Sequence, residues 1–514
     1  MSKFWKNLAR FAALAVLWIS FLITLWILLI RLNDGLGIEN SKYLAGLFVI
    51  ILALGGGVAF LRRRRPKFFG HPKFYLVLTI IAVVMGVILR LVFLRFYQNY
   101  APVDNGSDTG IHWYAAQEIL ETGRIRDEFM GNYEAFFTQL TSYTLLVAVS
   151  MWFVGVNYLA ILLPNILFDL IAAGAIYLLL KKWKGEKVAA WGVVLVMINP
   201  LCICFCVEGL ALSVVNMFIA LGLWLIYVLW KFLQRGEYGK FWLSAGVTGL
   251  VLACGNAFRP VFSVLVIAVF GMLVLDSLQR VDWKHTLKSG GGFVIMLVVF
   301  VVGGLGWDGI YRLANPYYQT ERHSMLGWNF FVGANFETEG RWSQEDSRLI
   351  GPSFYSDEDG KVTPPEEVNA EFMKMGLERY RGMDLGRIGL HFLNKSRILF
   401  GENEVRVAEN LREQFDNVDG NETWYKITNA VAMITLTVFA ILTAIYFWTI
   451  IKVTKREKID LFGVLVSLIF CGFFVSSLLV EVMSRYVSIF VVPMVVFGAC
   501  VMPKLVKNSI RGKE

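Results

Sequence analysis

Leu210-Ala-Leu-Ser-Val-Val-Asn-Met-Phe-Ile-Ala-Leu-Gly-Leu-Trp-Leu-Ile-Tyr-Val-Leu-Trp230 runs without a charged side chain and stops at Lys231. As an α-helix such a run rises about 30 Å, the thickness of the hydrocarbon core of a bilayer. Comparable runs lie at 11–31, 43–61, 74–95, 158–180, 188–206, 241–257, 260–276, 291–310, 427–450, 460–479 and 485–503, so twelve spans are expected. A chain of 514 residues that is 56% hydrophobic and only 17% charged has too little polar surface for a soluble globule of its size. The fold class that follows is an all-α polytopic membrane protein. The first run follows Lys3, Lys6 and Arg10, exceeds a signal-peptide core in length and lacks a small-residue cleavage site, so it is expected to remain as an anchor.

Lysine and arginine set the expected orientation. With the N-terminus inside, Arg62 to Arg65, Lys181-Lys-Trp-Lys184, Lys452 to Lys458 and the tail from Lys504 to Lys513 fall on inner segments, and the short outer turns are nearly free of basic residues. The net charge of +9 is then a topology and inner-leaflet signal, not a nucleic-acid footprint. Residues 138–156 are apolar enough to cross, but a crossing there would put Lys181 to Lys187 outside. They are read as a re-entrant or outer-leaflet helix, with a thirteen-span reading open.

Four parts follow: an N-terminal hairpin and basic inner loop (1–73), a transmembrane core (74–310) with a first outer loop at 96–137, a small extracytoplasmic domain (311–426), and C-terminal spans with a basic tail (427–514). The outer domain has Trp328, Phe330, Phe331, Phe336, Trp342, Phe354 and Tyr355 to bury. All six cysteines fall in or at the edge of expected spans, so no disulfide framework is implied. Cys202-Ile-Cys-Phe-Cys206 cannot converge on a metal, because alternate helical positions point about 200° apart.

In this orientation Asp108, Glu208, Arg259 and the Glu481/Arg485 pair fall at the outer ends of helices. Charge so close to hydrocarbon usually faces a cavity, a partner or a substrate. The planar fork of Arg259 suits two phosphate oxygens. Glu481 and Arg485 stand at the spacing of an intrahelical ion pair. His112 lies one turn beyond Asp108 and is expected to be solvated at the interface; Arg90 and Arg95 are expected to snorkel to the headgroups.

Asp108 followed by Trp113-Tyr114, Ala115-Ala116 and Gly123 opens a longer order of signals. The turn at Lys181-Lys-Trp-Lys-Gly185, Asn199-Pro200 with Glu208, Arg259-Pro260, Gly327-Trp-Asn-Phe-Phe-Val-Gly-Ala-Asn335, Gly340-Arg-Trp342, Glu481-Val-Met-Ser-Arg-Tyr486 and Pro493 complete it. Over residues 74–503 this order resembles the GT-C superfamily of membrane glycosyltransferases. It is most similar to bacterial relatives of the protein O-mannosyltransferases and aminoarabinose transferases, of glycosyltransferase family 39 type. The sequence departs from the family at two places: the second acid, commonly Asp, is Glu208, and an Asp-Glu pair is replaced by Asp108-Thr109.

The resemblance implies a fold of about twelve to thirteen spans with outer juxtamembrane helices, in a bacterial cell membrane, with both termini cytoplasmic and the active site outside. It implies a polyprenyl-phosphate or polyprenyl-pyrophosphate sugar donor and a glycan, lipid or protein acceptor. Asp108 would take the acceptor proton in an inverting displacement, and Arg259 and Arg485 would hold the lipid phosphate. Glu208 would orient the acceptor or join Asp108 at a divalent cation, Mg²⁺ or Mn²⁺, if one is used. Glu481, Tyr486, His112, Tyr114, Trp328 and Asn329 complete the expected substrate-binding set, with the tryptophans equally suited to being the core of the outer domain. A lipid-linked glycan flippase and a polysaccharide polymerase or ligase are the competing readings; against the first, no half-repeat is visible.

Overall fold

The structure, a computed structural model, describes residues 2–33, 71–97, 108–207, 209–318, 326–350, 365–401, 421–456 and 459–511. Those residues form helices and turns, with no strand among them. Ten helices are long and apolar enough to cross a membrane, or eleven if one bent pair is a single span. Eleven of the twelve expected runs are thereby accounted for; the run at 43–61 lies outside the described residues.

In chain order, α1 (Ser2–Asn33) and α2 (Pro72–Tyr97) precede three shorter helices, α3 (Asp108–Thr122), α4 (Glu128–Phe136) and α5 (Thr138–Val154). Then come α6 (Leu159–Trp183), α7 (Glu186–Met197), α8 (Pro200–Val207), α9 (Leu212–Arg235), α10 (Tyr238–Phe258), α11 (Ser263–Arg280) and α12 (Trp283–Ala314). The stretch expected to form an outer domain, called the outer domain below for that expectation alone, holds α13 (Leu326–Gly333), α14 (Gln344–Ile350), α15 (Pro365–Arg381) and α16 (Leu385–Gly401). Helices α17 (Asn421–Arg456) and α18 (Leu461–Leu479), a 3₁₀ turn at Ser484–Val487 and α19 (Ser488–Arg511) close the chain. The segment 138–156 forms α5, whose 17 residues fall short of the spanning helices.

The run at 188–206 is not one helix. It bends by 47° between α7 and α8. Pro200 has no N–H to donate and forces Asn199 out of helical geometry, which leaves carbonyls of α7 without partners. Arg90, expected to snorkel, is instead wholly buried and supplies the missing donor. Its Nη1 donates to Met197 O at 2.7 Å, and Asp169 of α6 balances its charge at 2.8 Å. At the far end of α8, Asn165 Nδ2 donates to Cys206 O at 2.9 Å and Tyr158 Oη donates to Val207 O. Irregular backbone is tolerated in an apolar surround only when its polar groups are met in this way. The three cysteines of α8 are free and buried, as packing residues are.

Helix α12 has little protein cover over its most apolar stretch, of which only 6% is buried. It is held to α10 by small residues that let the backbones touch. A Cβ on Gly249 would lie 2.4 Å from Met296 O, so nothing larger fits there.

The first outer loop and the outer domain turn out to share a core. Phe136 of α4 packs with Trp328, Phe331 and Val332 of α13, Ile350 of α14, and Val368 and Phe372 of α15. Arg379 lies over the Phe331 ring at 3.6 Å and pairs with Asp346 at 2.7 Å. This domain is then clamped to the segment before the 3₁₀ turn. A Cβ on Gly333 would come within 2.4 Å of the Val480 carbonyl carbon, and the buried Lys395 Nζ donates to both Gly333 O (2.8 Å) and Val480 O (2.6 Å).

Candidate functional site

Helices α3, α4, α5, α9, α10, α11, α12 and α18, the outer domain and the 3₁₀ turn surround one cavity of about 990 Å³. Asp108, the first residue of α3, is part of the cavity lining. Its Oδ1 accepts from Tyr133 Oη at 3.1 Å and its Oδ2 from Arg485 Nη2 at 2.9 Å. Residues 108 and 485 lie at opposite ends of the chain, so this ion pair is made only by folding.

Arg259 follows α10 in an extended conformation. Pro260 ends the helix there because its preceding residue disfavours helical geometry. The guanidinium lies 4.3 Å from the centroid of the Tyr486 ring, and Arg485 lies 5.9 Å from the same ring. Two cations thus meet one aromatic wall, with Asp108 beside them. Burial works against the charge on Arg259 and lowers its pKa, and Arg485 adds to that; Tyr486 and Glu481 act the other way.

Glu481 is placed by its backbone. Its N–H donates to Asn329 O at 2.7 Å, and the next N–H, of Val482, donates to Gly340 O at 2.9 Å. Glu481 is not in an intrahelical pair with Arg485, since α18 has already ended at Leu479. Burial raises its carboxyl above the usual range, and Asp108 pushes the same way, against Arg485, Arg259 and Lys395.

Of the residues expected at the site, Asp108, Arg259, Arg485, Glu481, Tyr486, His112, Trp328 and Asn329 all line the cavity. Two expectations are corrected, for Tyr114 and His112, and the two readings of Trp328 are told apart. Tyr114 is not among the lining residues; it packs partly buried against Ile111, Ala115, Ile125 and Met130. Trp328 is only 2% exposed and belongs to the outer-domain core, touching the cavity at its edge, whereas Trp342 is 54% exposed at the rim. His112 is not solvated: it is 2% exposed and its Nδ1 lies 2.8 Å from Thr144 Oγ1. Burial lowers the His112 pKa to about 4, with Asp108 opposing and Arg485 adding to the effect.

Glu208 lies outside the described residues. Its neighbours reach the site: Leu210 and Ala211 line the cavity, and Gly209 packs against Thr109, next to Asp108. Among the described residues no group of three or more His, Cys, Asp and Glu side chains is arranged to hold a metal. The carboxylate of Asp108 is already matched to a guanidinium, and Arg485 and Arg259 beside it repel a divalent cation. The described donor set does not fit Mg²⁺ or Mn²⁺, and no step below runs through one.

Sequence reading missed Tyr133, Thr144, Glu134, Asp308 and Lys395. Asp308 lines the cavity from α12 and accepts from Tyr318 Oη at 3.2 Å. Glu134 carried a signal: it is the lone charge in Asn132-Tyr-Glu-Ala-Phe-Phe137. Lys395, in the middle of a mixed helix, carried none.

Residues 142–306 match the family model of dolichyl-phosphate-mannose-protein mannosyltransferases. The match supports a glycosyltransferase of GT-C type. It runs from α5 to α12 and so includes Arg259, while Asp108 and Arg485 flank it in sequence and complete its cavity in space. No curated protein matches the chain.

Proposed function

We propose that this chain transfers a sugar from a polyprenyl-phosphate donor to an acceptor hydroxyl on the outer face of a bacterial cell membrane, with both termini inside. The observation that carries this reading is the two-part character of the cavity. Its lining joins the charged Arg259, Arg485 and Asp108 with an apolar set, Leu212, Val215, Ala253, Val264, Phe300 and Val301. The last two belong to α12, the helix with least protein cover. A lipid phosphate has the same two characters, an anionic head and an isoprenoid chain.

The phosphate sits between the two guanidiniums, where the Tyr486 ring and low solvent access strengthen each charge-assisted bond. As the acceptor oxygen attacks the anomeric carbon, the bond to the phosphate oxygen breaks and its electron pair stays on the phosphate, under the arginines. Attack from the opposite face inverts the anomeric centre. The acceptor proton goes to Asp108. Arg485 is shared: a phosphate that draws it away from Asp108 Oδ2 leaves the carboxylate more basic when the base is required.

The flippase reading gains no path from the buried pair Arg90 and Asp169. Arg90 and Asp169 satisfy one another and a helix break, and neither lines the cavity. The test is sugar transfer from synthetic polyprenyl-phosphate sugars by purified protein in nanodiscs. Asp108→Asn should lower kcat by about 100- to 10,000-fold, the worth of a general base. Full activity in that variant removes the base assignment, and transbilayer movement of donor without a new glycosidic bond overturns the enzyme reading.

A further inference from the structure

Beyond the arginines and Asp108, the cavity wall leads into a buried polar chain that sugar transfer as described above does not use. His112 lines the cavity one helical turn from Asp108, near enough to feel its charge. Its Nδ1 meets Thr144 Oγ1 at 2.8 Å, and the Thr144 hydroxyl donates to Glu134 Oε1. A hydroxyl has one proton. With that proton given to Glu134, Thr144 must accept at His112, so the imidazole carries its proton on Nδ1 and presents a bare Nε2.

Thr144 and Glu134 are both 0% exposed. Glu134 Oε2 has no hydrogen-bond partner among the described residues, so an ionised carboxylate there is left half unmatched in a dry site. A purely structural triad would be expected to satisfy that oxygen. A group that is protonated for part of a cycle has less need of a second donor.

We propose that His112, Thr144 and Glu134 form a proton relay that carries the acceptor's proton away from Asp108 and stores it on Glu134. The inference rests on the sugar-transfer reading for the source of the proton. In the step itself, the proton that Asp108 took from the acceptor leaves its carboxyl for His112 Nε2 and restores the Asp108 carboxylate, the Nδ1 proton moves to Thr144 Oγ1, and the Thr144 hydroxyl proton moves to Glu134 Oε1. One proton enters and one is stored; the imidazole ends neutral in its other tautomer and the carboxylate ends as a neutral acid. The reverse path resets the chain once product leaves and water reaches the cavity.

The surroundings suit these roles. His112 faces Asp108 on its own helix, Arg485 from the 3₁₀ turn, Glu134 from α4 and the Tyr143 ring edge-on at 5.1 Å from α5. Burial holds it neutral, so it passes a proton without keeping one. Glu134 faces Thr141 and Thr144 from α5, with Tyr311 of α12 near enough to feel its charge. Burial raises its pKa to about 7, against the two threonine hydrogen bonds, which puts the store near neutrality.

The experiment pairs infrared titration with transfer kinetics on the full chain in nanodiscs. Without any ligand, the wild type should show a buried carboxylic-acid carbonyl band that disappears as pH rises through about 7. The band should be missing in Glu134→Gln, shifted in Thr144→Val and restored in Thr144→Ser. With a polyprenyl-phosphate hexose as donor, Glu134→Gln and Thr144→Val should lower kcat by about 100-fold with donor KM unchanged, flatten the pH profile, and be rescued by Thr144→Ser at the threonine position. A wild type with no such titrating band, or variants with wild-type kcat and pH profile, overturns the relay. If the band titrates and responds to Thr144→Val but no donor is turned over, the transfer reading falls and the proton chain stands. Robust transfer with an unresponsive band and profile overturns the relay and leaves sugar transfer standing.

Discussion

Exchanging Glu134 for Gln keeps the shape of a fully buried side chain and removes its ability to ionise. Burial moves this carboxyl from 4.5 to about 7 in the folded chain. Between those values the folded protein holds a proton that the unfolded chain has released, so wild-type stability falls as pH rises from about 4.5 to about 7 and is level above. The gap corresponds to about 3 kcal/mol lost by the wild type over that window. The variant has no such loss. Relative to wild type, Glu134→Gln should gain little at pH 5 and most at pH 8, by about 3 °C in Tm for a chain of this size. Scanning fluorimetry of both proteins across this range measures it. A difference that stays constant with pH, or that shifts toward the wild type as pH rises, refutes the claim that this carboxylate is buried without full compensation.

Other perturbations separate core from site. Trp328→Ala should cost about 3–5 kcal/mol of stability because it empties the centre of the outer-domain core, while Trp342→Ala, at the exposed rim, should change stability by less than about 0.5 kcal/mol and raise the acceptor KM; unfolding midpoints and transfer kinetics decide both. Arg90→Met should destabilise by about 3–5 kcal/mol by stranding Asp169, and adding Asp169→Leu should recover part of the loss, as read by thermal inactivation.

Much of the architecture was legible in the chain. Every expected span within the described residues is helical, the run at 188–206 as the bent pair α7 and α8, because a run that must satisfy its backbone inside hydrocarbon has little choice but to be helical. The break at 198–200 was visible as Asn199-Pro200, yet reading it as a bend required a donor for the freed carbonyls, and that donor, Arg90, is 107 residues away from Met197. The site was half legible. Asp108, Arg259 and Arg485 stood out as charges at span ends, whereas Glu134 was missed and Tyr114 was expected in the binding set.

Composition and hydropathy by themselves determined that the chain is helical and membrane-embedded, and which charges lie at the ends of its spans. Burial is a different kind of quantity, since it depends on neighbours supplied by distant segments. Only the tertiary structure decided that Asp108 pairs with Arg485, that Trp328 is core while Trp342 is rim, and that His112 leads inward to a dry carboxylate. The physical reason is that a span end is a one-dimensional property of hydrophobicity, whereas a shifted proton affinity is set by the solvent excluded and the charges brought close when the helices pack.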